Sequence, residues 1–146
     1  MLPLIIVVVF LFVFRILGIA GIGLFATWEA SARFALALMF LFVASSHFTK
    51  TGEDLIRMVP KGFPNPRLIV QITGALELLG AIGLLLPFVS HLAAFCLILL
   101  LIAMFPANVN AALKKIPLRG KDPTPLWLRL PVQLILIGLL WWSTLL

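Results

Sequence analysis

The chain has 146 residues, 63% of them hydrophobic and only 11% charged, with a mean hydropathy of +1.22. Soluble domains carry about 25% charged residues, so this composition excludes one and requires a lipid-facing surface. The formal net charge of +6 sits mostly in two connecting loops with little aromatic interleaving to stack bases, which reads as membrane topology and not as a nucleic-acid surface.

Five apolar segments follow one another, each near the 20 residues that cross a bilayer as helix. The first covers residues 3–27 and is interrupted by Arg15. No basic region precedes it, so it reads as a retained span and not as a cleaved signal. The second covers 30–48. A connector then carries Glu53 to Val59, an amphipathic turn or two expected to lay Leu55, Ile56, Met58 and Val59 toward lipid, and the helix-breaking Pro60, Pro64 and Pro66. The third segment covers 68–89 and the fourth 91–113. Thr124 and Pro125 read as N-cap and first helical residue of the fifth, 125–146. The expected fold is all-α, a single polytopic transmembrane bundle with five spans.

Lys50, Arg57, Lys61 and Arg67 lie between segments two and three, and Lys114, Lys115, Arg119 and Lys121 between four and five. The alternate loops hold Arg33 alone. Positive loops stay in the cytoplasm, which places the N-terminus inside and the C-terminus outside.

Glu77 is the residue that asks for an explanation. Ten uncharged residues, Leu78 to Pro87, follow it. At 1.5 Å per residue it lies roughly 15 Å into its helix, near the bilayer centre, where a carboxylate must be protonated, paired or facing a cavity. Arg15 is the one cation expected at similar depth, so an Arg15–Glu77 ion pair is the structural reading. The functional reading is a pocket. His47, Gln71, Asn108, Arg129 and Gln133 all occupy the half of the spans nearest the basic loops, and they come from four helices. Gathering them with Glu77 around one polar cavity would relieve the penalty for all six. Gly74, between Gln71 and Glu77, lets another helix approach closely.

Several chemistries are set aside. His47 and His91 lie toward opposite membrane faces and cannot share a haem, and the ligands for a zinc site are missing. No nucleophile-elbow, phosphate-loop or dinucleotide pattern is present, and Cys96 is single and flanked by Phe95 and Leu97, which reads as a small hydrophobe. No cofactor site is evident in the chain and no catalytic residue can be assigned.

The runs Phe40 to Phe48 (FLFVASSHF), Thr73 to Pro87 (TGALELLGAIGLLLP) and Phe105 to Ala112 (FPANVNAA), with Pro125 to Arg129 and Trp141-Trp142, resemble the DoxX family of small bacterial membrane proteins. The likeness extends from about Ala30 to the C-terminus, and the receptor-assembly chaperone NACHO is distantly similar. It implies a four-helix core with the first segment added, and a bacterial inner membrane. His47, Glu77 and Asn108 fall on its motifs. Some members are associated with quinone-linked redox systems, and two readings follow. In one, the chain is a quinone-interacting subunit served by a redox partner protein. In the other, the same site holds a membrane lipid or an assembly partner without catalysis.

Overall fold

The structure, a computed structural model, describes residues 1–146 and is all-helical, with five helices long and apolar enough to cross a membrane. These are α1 (Leu2–Ile19), α2 (Trp28–His47), α4 (Pro66–Leu85), α5 (Ser90–Leu113) and α6 (Leu126–Leu140), the last continuing as a π-helical turn over Trp141–Leu145. A short helix, α3 (Thr51–Met58), lies between the second and third spans. Spans of 18 to 24 residues rise about 27–36 Å, which matches a hydrocarbon core of about 30 Å. This is the architecture of a multi-pass membrane protein.

Helix ends follow from local chemistry. Thr27 caps α2, its hydroxyl accepting from the Ala30 N–H at 3.1 Å, and Glu29 complements the helix dipole in the first turn. Pro66 opens α4 after Asn65, whose φ of 46° turns the chain. α1 stops at Ile19 although apolar residues run on to Thr27. Gly21, at φ 107°, reverses the chain into a single 3-10 turn, Gly23–Phe25, which returns to the bundle. At the other end, α6 begins one residue later than expected. Pro125 takes the cap position, and Thr124 contributes its carbonyl elsewhere and not a capping hydroxyl.

α2 is the most enclosed span and α1 the least. Lipid tails are as apolar as leucine, so close packing of small residues has to hold such a bundle together. Ala32, Ala35, Ala37 and Ala44 provide it on α2, around Leu36, Met39 and Phe40. α2 packs on α4, α4 on α5 and α5 on α6, and the C-terminal π-helical turn comes back to α2 and closes a four-helix ring. α1 lies outside that ring, packed on α2. Gly80 and Gly83 set the α4–α5 contact, because a Cβ at either would fall within 2.7 Å of Leu97 or Ala93 side-chain atoms.

The amphipathic turn is part of the protein interior to a greater degree than its sequence suggests. Met58 is buried, and its carbonyl accepts from Asn110 Nδ2 at 2.8 Å, which ties α3 to α5. Arg119 reinforces that end. Its N–H donates to Asp54, its guanidinium donates to Ser46 Oγ, and it lies over the Phe42 ring.

Candidate functional site

Two helices and one missing side chain build the buried site. His47 is the last residue of α2. It meets α4 at Gly74, where a Cβ would come within 2.5 Å of the His47 Cβ. Only glycine admits the imidazole this close. Glu77 stands one turn further along the same face of α4 and is 2% exposed.

The imidazole spans two acceptors. Its Nδ1 lies 2.7 Å from the Val70 carbonyl, and its Nε2 lies 3.1 Å from Glu77 Oε2. Thr73 Oγ1 donates to the same carbonyl at 3.0 Å and offers its oxygen to Nδ1 at 3.4 Å. A peptide carbonyl can only accept, so Nδ1 must carry a proton. That leaves two states for the rest of the pair. With Glu77 ionised, Nε2 is protonated and the pair is imidazolium–carboxylate. With Nε2 bare, Glu77 holds the proton and donates it. Either way, one mobile proton lies between the two side chains and the unit is neutral, as a site at this depth requires.

The pair is close but imperfectly aligned. Nε2 and Oε2 are at ion-pair distance, yet Oε2 is enclosed without a well-directed donor. The distance governs here, because Coulomb attraction has no angular requirement, whereas a directional hydrogen bond weakens steeply off axis. Glu77 Oε1 has no protein donor either and is not fully enclosed. The carboxylate therefore keeps free acceptor capacity.

His47 also lines a polar cleft of about 280 Å³ at the basic-loop end, with Thr49, Glu53, Arg67 and Gln71. Glu53 and Arg67 pair across 2.9 Å but are largely exposed, so their bond is worth ~0–1 kcal/mol and can open easily. The cleft adjoins the end of α2, while the His47 side chain itself is buried against Glu77.

The remaining polar residues form a second group on the α5–α6 seam. Arg129 Nη1 donates to Asn108 Oδ1 at 2.8 Å, and its Nε donates to the Thr124 carbonyl at 2.9 Å. Gln133 Nε2 donates to the Leu101 carbonyl at 3.0 Å. The expected single pocket is therefore two sites. His47, Gln71 and Glu77 belong to the α2–α4 side, and Asn108, Arg129 and Gln133 to the α5–α6 side. Of the other five residues, His47 is the one that contacts Glu77 directly. Depth along a helix, which sequence position supplies, does not give the direction a side chain points around it.

The Arg15–Glu77 pair does not form. Arg15 Nη1 donates to the Ala26 carbonyl at 2.8 Å and the Phe25 carbonyl at 3.4 Å, and its guanidinium lies 5.4 Å from the Trp28 ring centre. Those partners are at the start of α2, about 28 Å of helix rise from His47 at its end, so Arg15 lies far from the His47–Glu77 pair. Cys96 is exposed on an apolar groove of about 510 Å³ between α4 and α5, together with Leu79, Leu92 and Leu99. Thr73 could have been found from its position one turn before Glu77. The Val70 carbonyl, which fixes the tautomer, has no sequence signal at all.

One family profile matches residues 36–144, from the middle of α2 to the C-terminal turn, and it is described as a domain of unknown function (DUF8561). The match leaves out α1, the helix outside the four-helix ring. No curated protein and no solved structure matches the chain.

Removing one member of the buried pair leaves the other neutral but unpartnered. His47→Leu and Glu77→Leu should each cost about 1–3 kcal/mol in detergent unfolding, and the double variant should recover at least about 1 kcal/mol relative to their sum. Arg15→Met combined with Glu77→Leu should be additive. Strict additivity in the His47–Glu77 cycle would show that the 3.1 Å contact contributes nothing.

Proposed function

The chain belongs to the family described as a domain of unknown function (DUF8561), and from that premise we propose that it is a membrane subunit in which His47 and Glu77 exchange a proton with the head group of a quinone-class ligand. The observation that carries this reading is the buried pair itself, with Nε2 and Oε2 3.1 Å apart beside a polar cleft that His47 lines. Oxidation of a quinol breaks two O–H bonds. The two electrons pass to a redox partner protein, and the Nε2–Oε2 pair takes up the two protons one at a time and passes each on by way of the free Glu77 oxygen, while Nδ1 keeps its own proton on the Val70 carbonyl. A desolvated carboxylate and an imidazole suit that task, because small changes in their surroundings decide which of them holds the proton. The resemblance of α2, α4 and α5 to DoxX proteins points the same way.

One observation favours a second reading, a lipid- or partner-binding assembly factor. The α4–α5 groove is wide, apolar and floored by Gly80 and Gly83, which suits an acyl chain or a helix without any chemistry. We also place the protein in a bacterial inner membrane with residues 48–65 and 114–125 in the cytoplasm, on the basic charge of those loops.

A short-tailed quinone analogue titrated against purified protein should bind, and Glu77→Ala and His47→Ala should each weaken it at least about tenfold, equivalent to ~1.4 kcal/mol. Binding that ignores both substitutions, or no binding at all, would favour the lipid or partner reading. A reporter fused at Gly62 or Gly120 should report cytoplasm, and one at the C-terminus the exterior. A cytoplasmic C-terminus would contradict the orientation.

A further inference from the structure

Arg129 is half-buried at the fourth residue of α6 and forms no ion pair. Its known partners, the Thr124 carbonyl and Asn108 Oδ1, are neutral. Guanidinium only donates, so Asn108 must turn its amide oxygen toward Arg129 and its Nδ2 away. Neither Asn108 Nδ2 nor Arg129 Nη2 has a protein acceptor, and neither is sealed from the surroundings. Two donors, one of them charged, are thus left open on the α5–α6 seam.

The depth and the neighbours say what kind of acceptor fits. Arg129 lies about 5 Å inside the start of its helix, at the boundary between head groups and hydrocarbon. Trp127, 72% exposed, marks the same boundary. Below it, Leu130 and Leu134 present an exposed apolar wall, and Lys114 and Lys115 stand exposed at the nearby end of α5. A head group here meets the open donors of Arg129 and Asn108, while its tails meet leucine.

We propose that Arg129 and Asn108 bind the phosphate diester of an anionic phospholipid whose acyl chains lie along Leu130 and Leu134. This site is separate from the His47–Glu77 pair and stands whether or not a quinone binds there. Guanidinium matches phosphate oxygens in charge and geometry, and the Asn108 amide adds a second donor. A choline-bearing head group would bring a further cation beside Arg129 and is disfavoured.

The test uses the full chain in neutral detergent with equimolar phosphatidylglycerol and phosphatidylcholine of identical chains, the retained lipid being read by native mass spectrometry. Wild type should prefer phosphatidylglycerol by about tenfold. Arg129→Gln should bring the ratio to about one, Asn108→Ala should reduce it about threefold, and Lys114→Gln with Lys115→Gln should leave it in place. Equal retention by wild type, a preference that survives Arg129→Gln, or one abolished by the lysine variant would each overturn the proposal. If Arg129→Gln does not fold, the wild-type ratio and Asn108→Ala still decide. Millimolar inorganic phosphate should not displace the bound lipid, and displacement would assign the site to a soluble anion and overturn the lipid source.

Discussion

A carboxylate near the middle of an apolar span has to be neutralised, and much of this bundle is arranged around that need. His47 reaches Glu77 because it ends α2, and it fits because Gly74 has no side chain. The same contact brings α2 against α4 along the whole face that continues through Ala81 and Leu84. With lipid outside and no hydrophobic drive to pull helices together, such a buried polar bond fixes register as well as adding stability. The small residues of α2 then let the other helices close round it.

The number and order of the spans were legible because length and hydropathy alone determine them, and Glu77 and Gly74 stood out for physical reasons that the structure shares. The partner of Glu77 was harder to read. Apolar residues continuing to Thr27 place Arg15 at mid-depth by sequence, yet Gly21 ends the helix early and leaves Arg15 one turn from its end, where loop carbonyls of Phe25 and Ala26 accept from it. His47 was visible as a candidate, but the choice between it and Arg15 depended on where a turn fell. The six-residue pocket failed for a related reason. Equal depth was correct for Asn108 and Arg129, which do meet each other, but they meet across α5–α6 and not across the ring. Backbone acceptors such as the Val70 and Thr124 carbonyls carry no residue signature and could not be read in advance.

The two polar groups divide the basic-loop end of the protein. On one side, an imidazole whose Nδ1 is committed to the Val70 carbonyl is buried against an enclosed carboxylate, next to a polar cleft. On the other, an unpaired guanidinium faces the lipid boundary, an arrangement suited to holding the protein against anionic head groups. The family match, residues 36–144, spans both groups, and α1 lies outside both the match and the four-helix ring.

The most direct measurement is nitrogen-15 NMR of the protein labelled at histidine, with His91, exposed on the opposite end, removed by substitution to leave His47 as the single signal. The Val70 contact requires His47 Nδ1 to remain protonated across the whole titration, with the pH-dependent change confined to Nε2, and Glu77→Gln should alter that Nε2 response while Nδ1 stays protonated. A neutral His47 with its proton on Nε2 and a bare Nδ1 would contradict the one-proton pair.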